Sequence, residues 1–590
     1  MAARWPATLI LGESLTMLVT LAWAACGFAA ALALVFIWDW RKRAARLATL
    51  RAKWGRLVDR DRDMASIAAY HRACASSDSP DHALDDRAWE DLNMNDVFAV
   101  LDRTESVVGQ QRLYARLRAT PRVEDLDAFE ALVTQVGKDA PARERAQLVL
   151  GRLRAPACAD LWRLAQPGTL ESAPWQFLFP VMGVCMVGVI LLVPFWRPAL
   201  ILLVAGIVGN LFARASVARQ LGIVTRAFRH VSPLVAAAEV TSSLAGDATA
   251  PIVGTLPLDA ARLSRLKRIA SWAGRDPTGA IVGDLRALLF EYLNMVFWLD
   301  ANALFFGARE LTERAPELLR VIAGVGEVDA AISVASYRAG TPGWTRPVFN
   351  PAGSVVLNDI RHPLLADAVP NSITLTPPHG VIITGSNMSG KSTFLRTVGV
   401  TAVLAQTINT CLASRYEAPL FAVRTCIGRG DDPRTGKSYY LVEVESVLAL
   451  VRAGRESVPL LLLFDELFRG TNAVERIAAG EAVLLSLLAP GADDRPSPHI
   501  VLVATHDQEL VDLLDTVYAP YHFAEMINAR GLAFDYKLQV GVAETRNAIA
   551  LLAQRGAPPE LVAYALARAQ SLDGTRPTIA RELRQPAALS

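Results

Sequence analysis

The chain has 590 residues, 60 Lys plus Arg against 58 Asp plus Glu, and a formal net charge of +2, so no chain-wide basic field marks it as a nucleic-acid binder. Apolar residues make up 52 % and charged residues 20 %, which excludes wholesale disorder, a collagen-like repeat and a disulfide scaffold. Six cysteines, with no C-x-x-C pair and no Cys/His cluster at zinc-ligand spacing, read as reduced thiols in a cytoplasm-facing protein.

In chain order, the first element is Leu15 to Trp38, 24 residues without a charge. As a helix it is about 36 Å long, enough to cross a bilayer. Its length, and positive charge that follows rather than precedes it, argue against a cleaved signal peptide and for an anchor over residues 1–38. Arg41, Lys42, Arg43, Arg46, Arg51, Lys53 and Arg56 come next, in a juxtamembrane region of residues 39–87 that ends in a linker from Asp81 to Arg87. The positive-inside rule sets that side in the cytoplasm and the N-terminus outside, a multi-pass placement in a bacterial-type inner membrane. A second apolar block, residues 177–213, is interrupted by Arg197-Pro198 and reads as a transmembrane hairpin, with a buried soluble hairpin as its alternative. Ala287 to Phe306 carries Glu291 and Asp300 and reads as one core helix. Arg143, Arg145, Arg152 and Arg154 read as a solvated face, and Arg262, Arg265, Lys267 and Arg268 as surface.

The clearest chemistry lies further on. Val381 to Thr384 is a buried-strand run, followed at once by Gly385, Ser386, Asn387, Met388, Ser389, Gly390, Lys391, Ser392 and Thr393. This is G-x-x-x-x-G-K-S between a strand and a helical pattern, the context a phosphate-binding loop requires. Glycines let the backbone amides wrap the phosphates of ATP, Lys391 reaches them, and Ser392 supplies a hydroxyl to Mg2+. Leu460 to Phe464 is a second buried strand ending in Asp465 and Glu466. Asp465 is placed to hold Mg2+, and Glu466 to orient and deprotonate the attacking water. A third strand, His499 to Ala504, ends at Thr505-His506, and His506 is a candidate γ-phosphate sensor.

These residues resemble the MutS mismatch-repair ATPases. The run Thr384 to Arg396, with Asn-Met inside the loop, is similar to that family's P-loop; Phe464 to Thr471 is similar to its Walker B segment, and Ala504-Thr-His506 to its switch histidine. Asp359 to Leu364 and Pro370-Asn371 match its lead-in, and Gly430 to Glu443 resembles the segment that reaches a partner's nucleotide, with Ser438 at the trans-acting serine. Val97 to Thr104, continuing to Pro121, resembles the start of the family's helical lever, Gly326 to Ser333 its end, and Phe534 to Gly541 with Gly556 to Glu560 the last strand and dimerising tail.

The resemblance implies an α/β P-loop ATPase domain of MutS/ABC type over residues 341–590. An all-α lever over 88–340, carrying the transmembrane helices, precedes it. It also implies an ATP hydrolase that uses Mg2+, works as a homodimer and serves an unidentified protein client. DNA binding is left open. The mismatch-reading wedge is missing, because Phe523-Ala-Glu525, like Phe464-Asp-Glu466, falls inside the ATPase domain. Ala368-Val369 stands where an aromatic usually stacks on adenine, Thr545 to Ala548 replaces Ser-Tyr-Gly, and the apolar hairpin occupies the place of the DNA clamp. The sequence therefore reads as a membrane-anchored ATPase that couples ATP turnover to lever motion. Two alternatives stand beside it: an ABC-type transporter, against which no LSGGQ-like signature is found, and a nucleotide-dependent dimerisation switch.

Overall fold

The structure, a computed structural model, describes residues 36–74, 84–119, 123–166, 177–273, 296–350, 353–376, 380–386, 388–427, 439–454, 459–490, 496–528, 531–542 and 555–569, with a few isolated positions besides. The N-terminal part is helical. Its helices include α1 (Asp86–Asp91), α2 (Met94–Leu101), α3 (Val107–Arg118), α4 (Val123–Lys138), α5 (Ala140–Leu150), α6 (Leu178–Leu192), α7 (Ala199–Phe228), α8 (Val231–Thr241), α9 (Leu299–Glu313) and α10 (Ala315–Gly340).

Helix α10 is the axis of this part, buried from Val321 to Arg338 save for half-buried Ala323. Gly324, Gly326, Ala330, Ala331 and Ser333 keep its girth small. A Cβ on Gly326 would stand 2.8 Å from the Cβ of Arg112, so α3 passes at backbone distance. The charges it buries are all engaged. Glu327 takes Arg112 and Arg116 from α3, and Asp329 accepts from the backbone N–H of Glu105 and Ser106 at the start of that helix. Arg338 forks onto Glu130 at 2.8 and 2.6 Å and donates to the carbonyls of Ile408 and Asn409. Those carbonyls end the helix that starts at the phosphate loop, so the helical part satisfies the C-terminal orphans of the α/β part.

The α/β part has two sheets. A small one, in order β1-β5-β2-β3, joins β1 (Val348–Phe349), β2 (Val355–Ile360), β3 (Asn371–Leu375) and β5 (Arg415–Ala418). The large one runs β10-β9-β4-β8-β7-β6, from β4 (Gly380–Thr384), β6 (Ala422–Ile427), β7 (Leu460–Asp465), β8 (Ile500–Ala504), β9 (Tyr518–Asn528) and β10 (Gly531–Val540). All its neighbours are parallel except β10 against β9. Strands β4, β7 and β8 are buried at every position, as expected of a parallel sheet covered on both faces. Ile383, Leu461, Leu463 and Leu502 face the helical part, while Ile382, Leu462, Phe464 and Val503 pack in a second core with Leu484 and Leu510. Helices α11 (Lys391–Ile408), α12 (Tyr439–Ala453), α13 (Ala473–Leu488) and α14 (Gln508–Leu514) accompany this sheet.

The membrane placement expected from sequence is overturned. Among the described residues no helix is long and apolar enough to cross a membrane. Helix α6 has 15 residues, a rise of about 22 Å against the roughly 30 Å of hydrocarbon a span must cover. Helix α7 is longer, but its end is packed into the helical core, where Ala227 and Phe228 are buried. The hairpin closes on its neighbours: Phe179 lies against Trp298 at 5.2 Å, and a Cβ on Gly206 would stand 2.6 Å from Met186 Sδ. Most of the proposed anchor from Leu15 to Trp38 lies outside the described residues. Among the described residues, the transporter alternative loses the hairpin spans on which it rested.

Three smaller expectations also change. The helix expected over 287–306 is interrupted at Trp298, in the left-handed region at φ 51°, with helical residues 292–294 and 296–297 before the break and α9 from Leu299 after it; Glu291 lies outside the described residues. The linker expected over 81–87 already holds a helix start, since Asp85 accepts from the N–H of Ala88 at 2.6 Å and caps α1. Arg143 is buried over the Trp54 ring at 3.7 Å rather than solvated.

His362, in the turn after β2, is buried, and burial pulls its pKa down to about 4. The unfolded chain takes up this proton near pH 6.5, before the folded protein does. Stability therefore falls as pH drops from about 6.5 to about 4, by up to ~3 kcal/mol from this group alone. Urea midpoints at pH 7 and pH 5 should differ less in His362→Gln than in the wild type.

Candidate nucleotide site

The C-terminal ends of β4, β7 and β8 meet at one edge of the large sheet, and each delivers part of the expected chemistry there. Thr384 ends β4 and the loop turns on Gly385, φ 141°, and Gly390, φ 113°. A Cβ on Gly385 would come within 2.7 Å of Ser389 Oγ, so this position needs glycine on both counts. Met388, at φ 77° and 84 % exposed, is held in the left-handed region at the loop's crest. Asn387 and Ser438 lie outside the described residues.

Lys391 opens α11 and is buried, with Nζ donating to the carbonyls of Gly385 at 2.7 Å and Ser386 at 2.9 Å. Burial lowers its pKa against the opposing charges of Glu466 and Asp465. Ser392 and Thr393 follow in the first helical turn, half-buried and exposed. The loop is braced from outside by Glu525 of β9, which accepts from the N–H of Ser386 at 3.1 Å.

Asp465 ends β7 and is buried. Its Oδ1 makes no hydrogen bond, and neither does the buried Ser389 Oγ. Two unsatisfied oxygens of this kind beside a lysine fit a site that takes Mg2+ and phosphate. Glu466 follows at φ 56°, with its N–H donated to the carbonyl of Ala504 at 2.9 Å. Its carboxylate contacts His506 Nε2 and lies 2.7 Å from Arg469 Nε. Burial pushes the Glu466 pKa up, but the His506 hydrogen bond and the charges of His506, Arg469 and Lys391 outweigh it and hold the carboxyl below its ordinary range. The His506 ring spans the site, with Nδ1 3.1 Å from the Gly385 carbonyl and 3.5 Å from Lys391 Nζ.

Lys391, Asp465, Glu466 and His506, named from three separate stretches of sequence, therefore share one strand edge. Sequence reasoning missed Arg469, Glu443 and Glu525. Arg469 pairs with Glu466 and reaches Asp465 at 3.6 Å, and Glu443 of α12 accepts from the N–H of Phe468 at 2.6 Å. A cation three residues after paired acids was the available signal for Arg469. Glu525 carried no local signal, since its role depends on β9 lying beside β4.

The glycine loop, Lys391 and the acidic pair thus gather at one edge of the large parallel sheet. Residues 381–573 match the family model of MutS domain V. The chain is 34 % identical over 277 residues to the DNA mismatch repair protein MutS of Thermus aquaticus, an alignment that covers 46 % of this chain and 33 % of that protein. With MutS 2 of Halobacterium salinarum it is 33 % identical over 271 residues, 44 % of this chain and 30 % of the relative. With MutS of Streptococcus equi subsp. equi it is 31 % identical over 264 residues, covering 43 % and 30 %. The chain thus matches about a third of the length of these curated relatives, and its similarity to the family model lies within residues 381–573.

Proposed function

We propose that this protein is an ATP hydrolase of MutS type, whose sites are completed across a homodimer and whose nucleotide state is relayed to the helical part. The observation that carries this reading is the convergence of Lys391, Asp465, Glu466 and His506 on one strand edge, beside two buried oxygens without partners. Lys391 and the loop amides bind and orient the phosphates. Ser392 and Asp465 are the residues that would hold Mg2+, which supplies charge neutralisation at the phosphates when bound. Glu466, kept ionised by its neighbours, orients the attacking water and accepts its proton, with His506 fixing the carboxylate. From the partner copy, Ser438 completes the site.

The relatives are named as DNA mismatch repair proteins, and DNA is accordingly the first effector to test. Steady-state turnover of the purified chain should exceed that of Lys391→Ala by at least ~100-fold. Adding homoduplex or mismatched DNA identifies the effector: stimulation specific to the mismatch assigns a repair role, and indifference to both points to a protein client. Turnover no higher than in Lys391→Ala contradicts the reading.

A further inference from the structure

A short helix near the beginning of the helical part enters the α/β part. Helix α1 is only six residues long, yet its last residue, Asp91, is buried against strand β6. Asp91 Oδ2 accepts from Thr425 Oγ1 at 2.7 Å and from the N–H of Ile427 at 3.0 Å. Its backbone carbonyl accepts from Arg396 Nε of α11 at 2.8 Å. The next residue, Leu92, sits against α11 so closely that a Cβ on Gly399 would stand 2.6 Å from its Cδ2. Around this contact, Arg87 donates to Cys426 Sγ at 3.1 Å and lies 3.8 Å from Asp91.

Ile427 is the register partner of Asp465, the residue assigned to Mg2+. Arg396 lies on the helix that begins at Lys391. One residue of the helical part therefore touches both the strand next to the acidic pair and the helix that carries the phosphate loop. Packing alone does not ask for a carboxylate here. Burying one is costly unless its oxygens are well satisfied, and an apolar side chain would fill the space at less cost. Burial indeed raises the Asp91 pKa, against the hydrogen bonds from Ile427 and Thr425.

We propose that Asp91 is a positioning residue for ATP hydrolysis, holding the end of β6, and through it Asp465, in fixed relation to the phosphate-loop helix and to the start of the helical part. The inference rests on the ATPase reading above and adds to it the joint through which the helical part feels the site. Asp91 bears on β6 beside the acidic pair, so its expected effect is on the hydrolytic step rather than on ATP binding.

The test compares ATP titrations of turnover for the full chain as wild type, Asp91→Asn, Thr425→Val, Thr425→Ser and Lys391→Ala. Asp91→Asn and Thr425→Val should each lower kcat by at least about fivefold while KM for ATP stays within about twofold. Thr425→Ser, which keeps the donor hydroxyl, should restore kcat to within about twofold of wild type. An unchanged kcat in Thr425→Val overturns the inference, and it decides the matter even where Asp91→Asn does not fold. A kcat in Thr425→Ser as low as in Thr425→Val also overturns it, since the hydroxyl would then not be what matters. Wild type no more active than Lys391→Ala would defeat the ATPase reading and this inference with it, whereas an active wild type matched by both variants would defeat the inference alone.

Discussion

Glu466→Gln should lower ATP turnover by about 10²- to 10⁴-fold while leaving ATP binding close to wild type. The carboxylate sits at the end of the acidic strand, between His506 and Arg469, and its neighbours hold its pKa below the ordinary range. It is therefore ionised throughout the neutral range and can accept a proton from water. Glutamine keeps the shape and one acceptor but cannot take that proton. Single-turnover hydrolysis and equilibrium binding of a fluorescent ATP analogue separate the two effects. Equal turnover in the variant would move the general base elsewhere, whereas lost turnover with unchanged function would favour a dimerisation switch in which hydrolysis plays no part.

Glu327→Ala should destabilise the fold by ~3–5 kcal/mol, the cost of leaving buried cations without their counter-charge. Glu327 is 3 % exposed and receives Arg112 Nε at 2.8 Å and Arg116 Nε at 3.0 Å. Arg116 stacks on Phe129 and donates onward to the carbonyl of Thr407 at the end of the phosphate-loop helix. Burial pushes the Glu327 pKa up, but the two guanidiniums outweigh it and keep the group ionised. The loss should appear as a lower urea midpoint, since Glu327 also holds Arg116 where it bonds the helical part to the α/β part through Thr407. A midpoint within experimental error of wild type would show that the three charges are solvated in the folded chain.

What was legible in the sequence was mostly local. The phosphate loop, the two acids after an apolar strand and the histidine after another are each defined by residues adjacent in the chain. The uninterrupted apolar runs of β4, β7 and β8 marked strands covered on both faces. What stayed hidden depends on distant partners. Asp81 to Arg87 reads as polar linker because nothing nearby shows that α1 will reach Thr425, over 300 positions away. Arg143 reads as solvated because its covering ring, Trp54, comes from a turn about 90 residues earlier in the chain. The apolar hairpin misled for a different reason. Absence of charge sets an upper limit on a span, but α6 stops after 15 residues and its neighbours take up part of its surface.

The most direct test of the account is complementation between two inactive variants. Lys391→Ala removes the phosphate-binding lysine, and Ser438→Ala removes the residue assigned to the partner's site. Each alone should be inactive, but a mixture forms heterodimers with one intact pair, Lys391 from one copy and Ser438 from the other. The account expects the mixture to recover ATP turnover, up to about a quarter of wild type for random pairing of equal amounts. A mixture as inactive as its components, or full activity in Ser438→Ala alone, would contradict a site shared between two copies.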